Sequence, residues 1–309
     1  MNEQLIWSIQ ANTNGHLHLP NEPTVSVLNR GFLYGDAVYE VWRSYGGTLY
    51  AWEEHWKRLE CSARVLGFAI PWTKGQMWGE IVRTVEGFRR SSKDDGDVYI
   101  RLQVYRGEGA IGLDTALAAD PGYVILVKAV PVLSDEDLAS GLRLHVAKSL
   151  FRNAPDTLNP AWKTGNYLNN LMGLQEAKSR GADDVVMLNQ AGFITEASTS
   201  NIAFIRGNEF VTPRLDAGIL AGVTRSVTLS TVANMAGLEP IEENLRIEDL
   251  AQMDECMLLS STKDVQPVVR IDDFRFSVGD GTASRRLKDA FAKHVVDYVA
   301  AQQEFRLPR

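Results

Sequence analysis

Cysteine is scarce: the 309-residue chain has two, Cys61 and Cys256. Two thiols cannot build a disulfide framework, and neither has a partner at metal-ligand spacing, so no metal site is read. A reducing, cytoplasmic setting is the simplest expectation. Basic charge is not in excess. Lys plus Arg total 32 against 39 Asp plus Glu, a formal net charge of -7. An acidic chain is a poor partner for nucleic acid. Long apolar runs are also missing. The best, residues 123–133, is interrupted by Lys128, and spanning a bilayer needs ~20 apolar residues. The first residues carry neither a basic nor a long apolar region, so no signal peptide is expected. No solenoid repeat or low-complexity tract is visible.

What is present is ordinary globular material, 45% hydrophobic and 23% charged, and the length favours about two domains as a prior. Asn14-Gly15 between residues 5–10 and 16–19, and Gly46-Gly47 between 37–44 and 48–51, read as hairpins. Residues 52–66 read as a helix, with Trp56, Leu59, Ala63 and Leu66 on one face and Gly67 as its stop. Thr73 caps a second, with Met77, Ile81, Val85 and Phe88 on its apolar side. Two long strands follow, 97–106 and 122–130. The polar, turn-rich stretch 131–141 reads as a linker between a small α+β domain (1–130) and a larger one (142–309). In the latter, 142–148 is a strand, 166–180 a helix, 185–188 and 201–205 hairpin strands, the second turning at Gly207-Asn208, 224–236 a helix, 256–260 a strand, and an amphipathic helix closes the chain. Strands that follow strands directly fit an α+β class rather than a doubly wound sheet.

Six places carry chemistry. Lys163, beside Trp162, has the primary amine to attack a carbonyl once partly desolvated. Gly222-Val223-Thr224-Arg225 opens a helix, where backbone N–H groups and the helix dipole favour an anion. Ser260-Ser261-Thr262 ends an apolar strand with hydroxyl donors. Glu196 lies in a run of small polar residues between apolar strands, and a buried carboxylate there needs a partner. Arg58 can reach a phosphate bidentately. Tyr99, Arg101, Gln103 and Tyr105 share one strand face, opposite Ile100, Leu102 and Val104; Tyr39 shares a strand face with Val41 and Arg43. Taken singly, each residue is equally at home as a cap, a strand end or a surface side chain.

Their order is more specific. Asn29-Arg30-Gly31-Phe32-Leu33-Tyr34-Gly35-Asp36, then Arg58-Leu59, Lys163 with Gly165-Asn166-Tyr167, Glu196, Leu220-Ala221-Gly222-Val223-Thr224-Arg225 and Ser260-Ser261-Thr262 together resemble the fold-type IV pyridoxal-phosphate enzymes, the class-IV aminotransferases. The resemblance covers nearly the whole chain, through Pro267-Val268. It implies an α+β protein of two domains with the active site between them, pyridoxal 5′-phosphate as cofactor, and a homodimer or higher homo-oligomer. It implies that Lys163 carries the Schiff base and is the catalytic base, and that Glu196 pairs with the pyridine nitrogen. Arg58, the backbone of Val223 and Thr224, and Thr262 would hold the phosphate, Gly222 and Ser261 would also bind the cofactor, Leu220 would pack on the ring, and Tyr167 would approach the 3-oxygen.

The branch is less uniform. Tyr99-Ile100-Arg101, the loop 107–113 and Arg152 ahead of Pro160-Ala161-Trp162-Lys163 resemble L-branched-chain aminotransferases. Ala37-Val38-Tyr39-Glu40-Val41 and Ser260-Ser261-Thr262 look more like the D-amino acid branch. That branch's Arg-x-His carboxylate trap is missing, with Ile111 and Leu113 in its place. Lys163 stands four residues before Tyr167, one fewer than in typical L-branch enzymes. The expectation is a transaminase moving the amino group of an apolar, L-branched-chain amino acid to a 2-keto acid such as 2-oxoglutarate. Tyr39, Tyr99, Arg101, Thr262 and Lys263 would meet the substrate. The alternatives are a D-amino acid or (R)-amine transaminase and an aminodeoxychorismate lyase.

Overall fold

Turn and capping residues set the element boundaries. The computed structural model describes residues 8–22, 24–131 and 133–308; the expected start of the first strand, residues 5–7, lies outside them. Strands β1 (Ile9–Thr13) and β2 (His16–His18) pair across Asn14-Gly15, both left-handed. Helix α1 (Arg30–Tyr34) is capped by the Asn29 side chain and stopped by left-handed Gly35. Strands β3 (Ala37–Tyr45) and β4 (Thr48–Leu49) turn at Gly46-Gly47, which take the positive φ that glycine tolerates. Helix α2 (Trp52–Val65) and helix α3 (Lys74–Ser92) follow, the latter opened by a Thr73–Gln76 capping box. Strands β5 (Val98–Tyr105) and β6 (Gly122–Ala129) complete a six-stranded sheet of order β2-β1-β6-β5-β3-β4, antiparallel throughout. Alternate residues Ile100, Leu102 and Val104 of β5 meet Trp52, Trp56 and Leu59 of α2 and Met77, Ile81 and Phe88 of α3 in one core. Each such buried apolar side chain contributes about 1.5–3 kcal/mol.

The stretch 131–141, expected as a turn-rich linker, contains helix α4 (Asp135–Ser140). Ser134 caps it, and three acidic residues fill its first turn, where the helix dipole is positive. Strand β7 (Leu142–Val146), helix α5 (Leu168–Ser179), and strands β8 (Asp184–Val186), β9 (Asn201–Arg206) and β10 (Glu209–Thr212) come next. Helix α6 (Val223–Val227) runs through a π-helical turn, Thr228–Val232, into α7 (Ala233–Met235). Strands β11 (Glu239–Glu242), β12 (Glu255–Ser260), β13 (Asp264–Ile271) and β14 (Phe274–Arg275) precede α8 (Ala283–Ala301). The second sheet has the order β11-β10-β9-β12-β13-β7-β8, with β14 beside β13. It is mixed: β10/β11, β13/β7 and β7/β8 are parallel, the other pairs antiparallel. Residues 201–205 form their hairpin through Gly207-Asn208 with antiparallel β10, whereas β8 pairs in parallel with β7 and is no hairpin strand. β8 lies at the far edge on β7, and the bridges Leu188↔Ile194 and Glu196↔Asn201 help close the turns between. The α+β class holds.

Contacts divide the chain into two units: Met1–Pro131 with Trp162–Asn166 and Tyr298–Arg309, and Val132–Ala161 with Tyr167–Asp297. The returning segments are hydrogen-bonded to the first sheet. Thr164 bridges Val38, Gly165 N–H donates to the Ala37 carbonyl at 2.8 Å, and Leu307 N–H donates to the Gly47 carbonyl at 2.8 Å. No helix among the described residues is long and apolar enough to cross a membrane.

Candidate active site

In the first unit, strand alternation puts Val38, Glu40 and Trp42 on the core side of β3. Glu40 is fully buried. A carboxylate there needs partners, and α2 supplies two, one turn apart. Arg58 Nε donates to Glu40 Oε1 at 2.6 Å and its Nη2 to Oε2 at 2.8 Å; His55 Nδ1 lies 2.7 Å from Oε2. Burial alone would raise the Glu40 carboxyl, but Arg58 and His55 outweigh it and hold it well below the usual carboxylate range. Burial lowers His55, Arg58 and Lys163 lower it further, and the pull of Glu40 only partly offsets them. The imidazole is therefore neutral at pH 7. With Glu40 ionised, Nδ1 is the donor to it, and the 3.2 Å approach of Arg58 Nη2 to Nδ1 is a contact between two donors.

Lys163 is anchored by its backbone. Its N–H donates to Ser62 Oγ at 3.1 Å and its carbonyl accepts from Tyr39 N–H at 3.0 Å. Its half-buried side chain places Nζ 4.6 Å from the centre of the Tyr39 ring. The Arg101 guanidinium stacks on that same ring at 3.7 Å, steadied by a bond to Gln103 at 3.0 Å. Tyr39 and Arg101, predicted to meet the substrate, thus come together with Lys163. Tyr99 lies two residues along the same face of β5 and stacks under Lys128 instead.

In the second unit, Glu196 is buried among four N–H donors. Arg152 Nε and Nη2 reach Oε1 at 3.1 and 2.9 Å; Asn201 Nδ2 and the Leu220 N–H each reach Oε2 at 3.1 Å. Gly222 is the N-cap of α6, so the N–H groups of Val223 and Thr224 lie in its first turn, where no intrahelical acceptor exists. Arg225 is buried and ties α6 to the Pro213 carbonyl and to Glu242. Helix α6 packs on β12. Where β12 ends, Leu259 pairs with Asn201, and the buried Ser260 hydroxyl has no hydrogen-bond partner among the described residues. Ser261, Thr262 and Lys263 form the half-buried turn from β12 into β13. Tyr167 is the N-cap residue of α5.

In kind, these groups suit the cofactor that the resemblance implies: within the second unit a helix start, a buried hydroxyl without a partner among the described residues and an accepting carboxylate, and within the first a primary amine and an arginine. Sequence reasoning missed Glu40, His55 and Asn201. Glu40 had a usable signal, a carboxylate in the apolar phase of an alternating strand. Asn201 had none.

The class IV amino-transferase family model matches residues 37–271. A protein of Methanocaldococcus jannaschii, provisionally named a branched-chain-amino-acid aminotransferase, is 34% identical over 90% of this chain and 93% of its own. A D-alanine aminotransferase of Listeria monocytogenes is 30% identical over 92% of this chain and 95% of its own. The crystal structure of a branched-chain aminotransferase from Thermoproteus uzoniensis with norvaline superposes with a TM-score of 0.81. It is 27% identical and covers 96% of this chain and 97% of that one.

Proposed function

The chain belongs to the class IV aminotransferases, and from that premise we propose that it moves the amino group of an apolar, L-branched-chain amino acid to a 2-keto acid such as 2-oxoglutarate. It is an aminotransferase, and its cofactor is pyridoxal 5′-phosphate. When bound, that cofactor supplies an aldehyde that condenses with amines and a ring that draws electrons from the substrate Cα.

The residues divide the work. Lys163 would supply the amine that holds the cofactor and, when its amine is free, the base that takes the proton from the substrate Cα and passes it on to the cofactor. Glu196 accepts the ring nitrogen's N–H, Leu220 packs on the ring, and Tyr167 donates to its 3-oxygen. Arg58, the backbone of Gly222 to Thr224, and the hydroxyls of Ser261 and Thr262 hold the phosphate. They do no chemistry, but keep the Cα–H bond aligned with Lys163. The turn at Thr262-Lys263 offers donors to the substrate carboxylate, and Tyr39 gives its side chain an apolar wall.

The observation that carries the reading is the shared Tyr39 ring. One aromatic surface holds the Lys163 amine at 4.6 Å and the Arg101 guanidinium at 3.7 Å. A nucleophilic amine beside a cation suited to a carboxylate is what an amino acid requires. A homodimer is supported by the exposed apolar side chains of Val27 and Phe32, on and just before α1, and of Ile111 and Leu113, on a loop that Arg30 of α1 ties to that helix through the carbonyls of Gly112 and Leu113. A cytoplasmic enzyme is supported by Cys61 and Cys256, both free thiols.

The test is a half-reaction. L-Leucine, D-alanine and (R)-1-phenylethylamine are added singly to the holoenzyme without a keto acid, and the visible band of the bound cofactor is followed. L-Leucine alone is expected to bleach it. Bleaching by D-alanine in place of L-leucine moves the enzyme to the D-branch. A band unmoved by all three favours aminodeoxychorismate lysis. Lys163→Ala is expected to abolish turnover.

A further inference from the structure

Asn201 has no role in the reading above. It is the first residue of β9 and buried, and its backbone bridges Glu196 across a turn in which Ala197 N–H donates to the Ser200 carbonyl at 2.9 Å. Its carboxamide nitrogen spends both hydrogens: one goes to Glu196 Oε2 at 3.1 Å, the other to the Leu220 carbonyl at 2.9 Å. Both partners are pure acceptors, so chemistry alone sets which way the amide faces. The Leu220 N–H returns to Glu196 Oε2 at 3.1 Å. Glu196, Asn201 and Leu220 therefore form a closed triangle of hydrogen bonds.

The other side of the amide meets the helix start. Asn201 Oδ1 lies 1.9 Å from where a Cβ on residue 222 would sit. Gly222 has φ −67° and ψ 135°, extended values open to any residue. Glycine is needed there for space, not for backbone freedom. The amide of residue 201 occupies the volume that a side chain on residue 222 would fill.

We propose that Asn201 is a positioning residue, locking the Glu196 carboxylate to the turn of Leu220 to Thr224 so that the two are held at one fixed spacing. The proposal rests on the reading that Glu196 addresses the cofactor's ring nitrogen and that turn its phosphate. A cofactor of fixed length, gripped at two points, is aligned only if those points keep their separation. A misplacement near 1 Å costs on the order of a hundredfold in rate.

The experiment uses the holoenzyme and four variants: Asn201→Ala, Asn201→Asp, Gly222→Ala and the double variant Asn201→Ala/Gly222→Ala. The readouts are the rate of cofactor release on dialysis, followed by the visible band, and kcat and KM for the amino donor. Asn201→Asp keeps the volume but removes both donors and sets a second carboxylate against Glu196. It covers the case in which the alanine variant folds poorly. Each Asn201 variant is expected to release cofactor roughly ten- to a hundredfold faster and to lower kcat with KM little changed. Gly222→Ala alone is expected to do at least as much harm, and to cost little further once Asn201 is alanine. Additive effects at 201 and 222, or wild-type release and kcat in Asn201→Asp, overturn the proposal. Glu196→Gln separates the two levels. If it changes the visible band and kcat while the Asn201 variants do not, the lock alone is wrong. If it changes neither, the assignment of Glu196 falls and takes the lock with it.

Discussion

Each unit buries one carboxylate against one arginine, and the two arrangements differ in what surrounds the pair. Glu40 is held chiefly by two side chains, Arg58 and His55, both presented by one helix to one strand, with a longer bond of 3.3 Å from the N–H of its strand neighbour Val41. Glu196 has one side-chain cation, Arg152, and is otherwise held by Asn201 and a backbone N–H of an irregular turn. The first network joins two regular elements, so its failure is a failure of packing. The second joins loops that the proposed function sets against the cofactor, so its failure is expected to be one of alignment. Variants of Glu40 and His55 are expected to act on stability foremost and variants around Glu196 on catalysis, while Arg58, which the proposed function also gives to the phosphate, serves both.

The largest expected effect is Glu40→Ala. It strands the Arg58 guanidinium, whose side chain is 13% exposed, without its anion. Breaking a buried pair from one side costs about 3–5 kcal/mol, read as the shift in urea midpoint. A loss below about 1 kcal/mol would place this pair with exposed ones and break the comparison.

The same network has a pH signature. The carboxyl of Glu40 and the imidazole of His55 are both held below their ordinary values in the folded protein. The unfolded chain therefore binds protons first as pH falls, and stability drops with acid. Both contributions are whole above pH ~6.5. That of His55 is lost as pH falls from there, and that of Glu40 is lost below the ordinary carboxylate range. Thermal midpoints from pH 8 to pH 3 should fall in two stages, and Glu40→Gln should be less stable at pH 7 but flatter below pH ~4.5. An unchanged acid slope in that variant would remove Glu40 as its source.

Arg152→Ala comes next. Glu196 would keep two of its four donors, so the stability loss is expected at about 1–3 kcal/mol, smaller than for Glu40→Ala. Its activity loss at a temperature where the variant is fully folded should be the larger of the two. The reverse ranking in either measurement would show that the two carboxylates do not differ in kind.

The same difference explains what could be read in the sequence. Helices α2 and α3 follow from apolar spacing and from Thr73, and the hairpins follow from Asn14-Gly15 and Gly46-Gly47, because those signals are local. The parallel docking of β8 on β7, the bridge from Thr164 to Val38 and the bond from Leu307 to Gly47 join residues far apart in sequence, and no local periodicity reports them. Helix α4 was hidden in a stretch whose acidic residues also suit a solvated linker. At the site, Lys163 and Glu196 were named through the order of motifs rather than through spacing, while Asn201 acts by filling space beside Gly222, which neither residue announces.

The smallest effect tests a cation that belongs to neither carboxylate. Arg101 stacks on Tyr39 and bonds to Gln103, and a stacked cation at such a site contributes only about 0.5–1 kcal/mol to the fold. Arg101→Leu should therefore leave the melting temperature within a few degrees of wild type. If the guanidinium receives a carboxylate, KM for amino acids should rise about tenfold, the worth of one charge-assisted bond, while KM for an (R)-amine without a carboxylate, where that amine is accepted, should not. Equal changes for both would make Arg101 a brace for the Tyr39 ring and no more. A change in kcat alone would tie it to the alignment of Lys163, whose amine rests on the same ring.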